Sequence, residues 1–181
     1  MTKSFPPRPG QRGADRAAML RVDQAGEYGA VRIYAGQLAV LGDRHPLSRE
    51  VARMAAQEEH HRAHFDAMMA QRGVRPTILQ PFWHVAGFAL GAATALLGPE
   101  AAMACTAAIE TEIDDHYGRQ LEEIGPSDPP LSQAIADFQA EEVEHRESAI
   151  AHGAETAPAY SLLSGMIRLG CRAAIALSQR F

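Results

Sequence analysis

Two copies of the spacing Glu-x-x-His, Glu58–His61 and Glu142–His145, lie 84 positions apart in a chain of 181 residues. Each falls inside an apolar helical stripe, and that placement limits the fold more than any other feature. Val51, Met54, Glu58, His61, Phe65 and Met68 follow steps of three and four, as do Ile135, Phe138, Glu142, His145 and Ala149. Such steps line one face of a helix. The ionisable pairs therefore occupy positions where core residues belong. Glu141, Glu144 and Glu147 are expected to point toward water, and His60 and His64 are rotated off their stripe.

Two further stripes carry one glutamate each. They are Leu20, Gln24, Glu27, Val31, Tyr34, Leu38 and Leu41, and Met103, Glu110, Ile113, Tyr117, Leu121 and Ile124. Strand signals are nearly absent, alanine is abundant, and Pro and Gly punctuate rather than interrupt the stripes. The reading is all-α, with six helices: about 15–42, from 46 to before Gly73, 82–97, 99–124, 131–152 and 158–179. Residues 1–14 read as a disordered lead-in with no apolar segment of a secretory signal. Residues 15–181 read as a single domain.

The helices also repeat. Glu27, Tyr34, Gln37 and Leu38 recur 83 positions later as Glu110, Tyr117, Gln120 and Leu121. Glu58, His61 and Arg62 recur 84 positions later as Glu142, His145 and Arg146. The two halves, about 15–72 and 99–153, read as a duplicated helix pair, with 82–97 and 158–179 as additional helices.

A buried, unpaired carboxylate costs several kcal/mol, so four in one seam require cations. Two divalent ions balance four carboxylates, and two neutral imidazoles complete the donor set without adding charge. Oxygen-rich donors with two histidines suit iron or manganese. A lone Glu-x-x-His is common on charged helices. Two in seam register, with two seam glutamates at matching offsets, form the pattern of ferritin-like di-metal four-helix bundles. The predicted metal ligands are Glu27, Glu58, His61, Glu110, Glu142 and His145.

Other partners are bounded by composition. A formal charge of −5 leaves no basic excess for nucleic acid. Cys105 and Cys171 have no zinc spacing and fit a reducing compartment. No uninterrupted run of 18 apolar residues is present, so a bilayer-spanning helix is not expected. No GxGxxG or P-loop occurs.

The stretches RVDQAGEYGAVRIYAGQ, QEEHHRAHF, VRPTILQPFWHVAGFALGAATALLGPEAAMACTAAIE, DDHYGRQ, AEEVEH and APAYSLLSGMIRLGCRAAIALS resemble the demethoxyubiquinone hydroxylases of ubiquinone biosynthesis. The resemblance covers nearly all of the chain after the first 15 residues. It implies a di-iron centre on the same six ligands, with O2 as co-substrate. One oxygen atom would hydroxylate the ring of a demethoxy polyprenyl quinol or quinone, and the other would leave as water. It matches His116 and Tyr117 to the family's His-Tyr pair, proposed there to serve substrate or electron handling. Read from the helix alone, His116 is equally a surface histidine and Tyr117 a core tyrosine, and Tyr34 is structural. Gln24 stands where a histidine is frequent, Thr111 where a second glutamate is, and Arg62 where a leucine is. Electrons must come from outside: NADH bound without a dinucleotide fold, a partner, or the quinol itself.

A polyprenyl quinone lives in a membrane. The apolar helix 82–97 and the last helix, with Leu162, Met166, Leu169, Ala173 and Leu177 on one side, either cover the bundle, form a homodimer contact or meet lipid. The resemblance implies peripheral attachment to the cytoplasmic side of the cell membrane, with a homodimer or a ubiquinone-biosynthesis accessory protein as further partners. The alternatives are a ferritin-like iron-binding and iron-oxidising protein, and a non-catalytic quinone carrier with a structural metal pair.

Overall fold

A computed structural model describes residues 15–181; the expected lead-in, 1–14, lies outside the described residues. The chain forms α1 (Arg16–Leu41), α2 (Ser48–Arg72), α3 (Gln80–Leu97), α4 (Pro99–Ile124), α5 (Pro129–Ala151) and α6 (Tyr160–Ser178), with no strand among the described residues. Local chemistry sets the ends. The Asp15 carboxylate accepts from the Ala18 amide at 3.1 Å and caps α1. α5 begins two residues before the expected Leu131, because Pro129 and Pro130 suit a first turn and Asp128 caps it. α2 starts at Ser48 rather than Pro46. The Ser48 hydroxyl donates to the Gly42 carbonyl at 2.6 Å, tying the helix start to the preceding turn.

The buried apolar residues form two clusters, and the same two are met in order along each bundle helix. One contains Leu20, Phe65, Ile113 and Phe138; the other contains Tyr34, Met54, Met103 and Ala149. α1 and α5 run from the first to the second, α2 and α4 from the second to the first. α2 and α4 are therefore parallel, which demands a return segment between them. α3 supplies it, with Leu90 against the first cluster and Ala95 in the second. At its end Gly98, with φ of 130°, adopts a conformation open to glycine, and Pro99 starts α4 at once. This is the all-α, ferritin-like arrangement of four bundle helices with two additional ones.

The additional helices sit where the sequence left their role open. α3 packs closely on α1, and α6 on α4. A Cβ placed on Gly91 would lie 1.9 Å from the Ile33 carbonyl oxygen, and one on Gly36 2.2 Å from that of Phe88. Only glycine lets the two backbones approach this far. α6 is apolar on both its inner and its outer side. Leu163, Ser164 and Ile167 face the bundle, Leu162, Met166 and Leu169 face outward, each about two-thirds exposed, and Arg168 and Arg172 reach from the flank to the buried Glu112 at 2.5 and 3.2 Å.

Candidate metal centre

Between the two apolar clusters, each bundle helix contributes carboxylate or imidazole. Glu27, Glu58, His61 and Glu142 offer donor atoms within 4.8 Å of one another, and so do Glu58, Glu110, Glu142 and His145. Glu58 and Glu142 belong to both groups and are placed to bridge. Glu27 with His61, and Glu110 with His145, take the two outer sides. All six are at most 1% exposed. His61 Nδ1 lies 3.5 Å from Glu27 and 3.3 Å from Glu142, and His145 Nδ1 lies 3.0 Å from Glu58 and 3.4 Å from Glu142.

The donors fit a metal pair on their own chemistry. Both oxygens of Glu58 and of Glu142, one oxygen each of Glu27 and Glu110, and both Nδ1 atoms are buried without a hydrogen-bond partner. Eight orphaned polar atoms converging on one point are costly unless cations or protons engage them. Without cations, protons must take that role. Burial, then the neighbouring Glu142 and Glu27 charges, raise Glu58 well above the ordinary carboxyl range. Burial, Glu142 and Glu58 do the same to Glu110. Burial opposes charge on His61 and His145, but the surrounding carboxylates win and raise both. Burial also disfavours charge on Glu142, yet the adjacent histidines and Glu110 hold it down to about 2.

Metal ligands must be deprotonated. Loading a metal pair would therefore expel protons from Glu58, Glu110 and the histidines, and affinity should rise with pH. Ferrous titration in weak buffer should release protons, with tighter binding at about pH 8 than at about pH 6. Equal affinity at both would contradict the proton-filled resting cluster.

Around the ligands the repeat reappears as paired contacts. The Tyr34 hydroxyl donates to Glu110 Oε1 at 2.8 Å, and the Tyr117 hydroxyl donates to Glu27 Oε1. Gln37 donates to Thr106, and Gln120, its counterpart, donates to Asp23 at 2.8 Å. Tyr34 is thus not merely structural: it occupies one oxygen of Glu110, as Tyr117 does of Glu27. Burial and the neighbouring carboxylates raise both phenols well above their ordinary value, so both stay protonated.

Two other expectations change. His116 is buried, not a surface residue, because α6 and α1 cover that flank of α4; it lies 2.9 Å from the Gln120 amide and 3.4 Å from Asp23. Glu141 does not simply face water. It is half-buried, and its carboxylate lies 3.2 Å from His61 Nε2 and accepts from the Gln57 amide at 2.8 Å. Gln24 donates to Asp66, while Thr111 bonds its own helix at the Ala107 carbonyl. The residues that sequence reading missed are Asp23, Gln57 and Glu112; Gln120 entered it only through the repeat. The repeat offsets could have located two: Gln57 maps onto Glu141, and Asp23 onto Thr106.

A cavity of about 430 Å³ lies beside the cluster, between α1, α3, α4 and α6. Its walls include Ile113, Leu163 and Ile167, and Glu27, Asp23, His116 and Tyr117 also line it.

Known proteins match this chain closely. It is 57% identical over 161 residues to a Rhodospirillum rubrum protein named 3-demethoxyubiquinol 3-hydroxylase, covering 89% of this chain and 76% of the relative. It is 52% identical over 174 residues to a Mus musculus protein named NADPH-dependent 3-demethoxyubiquinone 3-hydroxylase, mitochondrial, covering 92% and 80%. A Saccharomyces cerevisiae protein named 5-demethoxyubiquinone hydroxylase, mitochondrial, is 42% identical over 178 residues, covering 90% and 76%. A family model described as ubiquinone biosynthesis protein COQ7 matches residues 14–178. Helix by helix, from the cap of α1 to the last turn of α6, this chain is a member of the COQ7 family of ubiquinone biosynthesis proteins.

Proposed function

We propose that the protein is an O2-dependent di-iron monooxygenase that hydroxylates the ring of a demethoxy polyprenyl quinol or quinone in ubiquinone biosynthesis. The observation that carries this reading is the adjacency of an apolar cavity to the carboxylate–histidine cluster, with Glu27 and Tyr117 lining both. Storage of iron gives that cavity no use, and a structural metal pair in a carrier has no need to adjoin it.

Glu27, Glu58, His61, Glu110, Glu142 and His145 would hold two iron ions. When bound, these supply the activation of O2, with two external electrons, so that one oxygen enters the ring and the other leaves as water. The chain's own residues do the rest. The cavity walls exclude water and leave the ring one polar side to face. Tyr117 fixes the Glu27 carboxylate by donating to one of its oxygens. His116, steadied by Gln120 beside Asp23, is placed to hydrogen-bond a ring oxygen. NADH is one of three electron sources the sequence leaves open; the Mus musculus relative carries NADPH in its name, so a reduced nicotinamide of either kind is proposed.

The prenyl tail would leave through the opening between α3 and α6, whose outer faces carry Phe82, Val85, Leu162, Met166 and Leu169, all more than half exposed. Exposed apolar patches of this extent mark lipid or protein contact. By length and mean hydropathy, 19 residues at 1.2, α6 could cross a bilayer. Arg168 and Arg172 make that costly, and with Glu112 they hold it flat on the bundle. The reading is peripheral attachment, from the cytoplasmic side.

The test is a direct assay. Iron-loaded protein, a short-tailed demethoxy quinol and either NADH or NADPH should give the hydroxylated ring carrying one atom from labelled O2. In parallel, the protein should float with phospholipid vesicles. No product with either reductant, or with pre-reduced quinol, would overturn the enzymatic reading.

A further inference from the structure

The outer nitrogens of the two cluster histidines meet unlike partners. His61 Nε2 faces the Glu141 carboxylate at 3.2 Å, and His145 Nε2 faces the Gln57 side-chain oxygen at 3.0 Å. Gln57 then donates its amide to the same Glu141 oxygen at 2.8 Å. The chain runs unbroken from His145 through Gln57 to Glu141 and back to His61. Its direction is fixed at one end. The Arg53 guanidinium donates to the Gln57 oxygen and is itself clamped by Glu50. That oxygen therefore faces Arg53 and His145, and the amide nitrogen faces Glu141. Both histidines consequently carry hydrogen on Nε2, leaving each Nδ1 lone pair for the cluster interior.

The two arms differ in charge. A carboxylate accepting from Nε2–H raises the donor strength of the opposite nitrogen. An amide oxygen does so far less, and this one already shares its lone pairs with a cation. Gln57 and Glu141 occupy equivalent positions in the two halves of the repeat, 84 residues apart, so the histidine-bearing arms are alike in placement while their outer partners differ in kind.

We propose that Glu141 and Gln57 are a positioning pair that fixes both histidine tautomers and makes the two metal positions unequal, the one beside His61, Glu27, Glu58 and Glu142 binding a divalent ion more tightly. This rests on the metal-centre reading above. Outer partners of this type change affinity by about 10- to 100-fold, so the first equivalent of iron should fill the His61 position before the His145 position.

Anomalous diffraction at the iron edge tests this on crystals of the full chain loaded anaerobically with one equivalent of ferrous iron. The expected occupancy ratio favours the His61 position by about tenfold or more. Glu141→Gln should bring the ratio toward one. The double variant Gln57→Glu with Glu141→Gln moves the carboxylate from the His61 arm to the His145 arm, and should shift occupancy toward the His145 position. Equal occupancy in the unaltered protein overturns the proposal even if the variants fail to fold. So does a folded double variant that still favours His61. If two equivalents bind nowhere at the cluster, it is the metal-centre reading that fails instead.

Discussion

Replacing Glu58 by leucine should abolish hydroxylation and iron loading while making the metal-free protein more stable. Glu58 is fully buried, both its oxygens lack partners, and it belongs to both donor groups. Its removal takes one donor from each metal position, so bound iron should fall from two per chain to less than one. The same change deletes a buried polar group that costs free energy whenever the metals are absent. A buried polar group left without a partner costs about 1–3 kcal/mol, and the leucine removes that cost. At roughly 2–4 °C per kcal/mol for a chain of this size, the metal-free melting temperature should rise by several degrees. Iron content and thermal unfolding, with and without added ferrous iron, read out both halves. A variant that melts lower without metal would mean Glu58 is a structural residue whose partners lie within the protein.

The second large effect belongs to Gly91→Ala. The new methyl would sit 1.9 Å from the Ile33 carbonyl oxygen and 2.7 Å from its carbon. Neither neighbour is a flexible side-chain end; both are backbone of α1. The helices must separate, and overpacking of this kind costs about 1–3 kcal/mol, more where backbone is displaced. The expected loss is about 3 kcal/mol, or about 6–12 °C in melting temperature. None of the six cluster residues is on α3. Iron loading should therefore survive while turnover of a prenylated substrate collapses, because α3 is one wall of the cavity. Gly36→Ala, which meets Phe88 and Ala92 backbone from the other side, should repeat the pattern. Loss of iron and turnover together would show that α3 braces the bundle itself.

Much of this was legible in the residues. Periodicity exposed the bundle because Glu27, Glu58, Glu110 and Glu142 interrupt otherwise apolar seams, and a charge in a seam demands an explanation. Helix ends were legible where a cap or a Gly-Pro pair set them, as at Asp15 and Gly98–Pro99. Contacts across helices were not. Nothing in a single stripe says that Tyr34 reaches Glu110, or that Glu141 bends back to His61 from a half-exposed position. Those depend on crossing geometry between segments more than 70 residues apart. The orientation of α6 was hidden for a related reason. Periodicity grouped its outward residues Leu162, Met166 and Leu169, but which side meets the bundle is decided by packing across helices, with Leu163 and Ile167 inward and Arg168 and Arg172 tied to Glu112 from the flank.

The outward apolar side of the last helix also shapes how the purified molecule behaves. With Leu162, Met166 and Leu169 turned outward, bare buffer drives copies to shelter one another's greasy sides. Sizing columns run without detergent will then report clumping imposed by water, and a mild surfactant should dissolve those clumps without disturbing the iron.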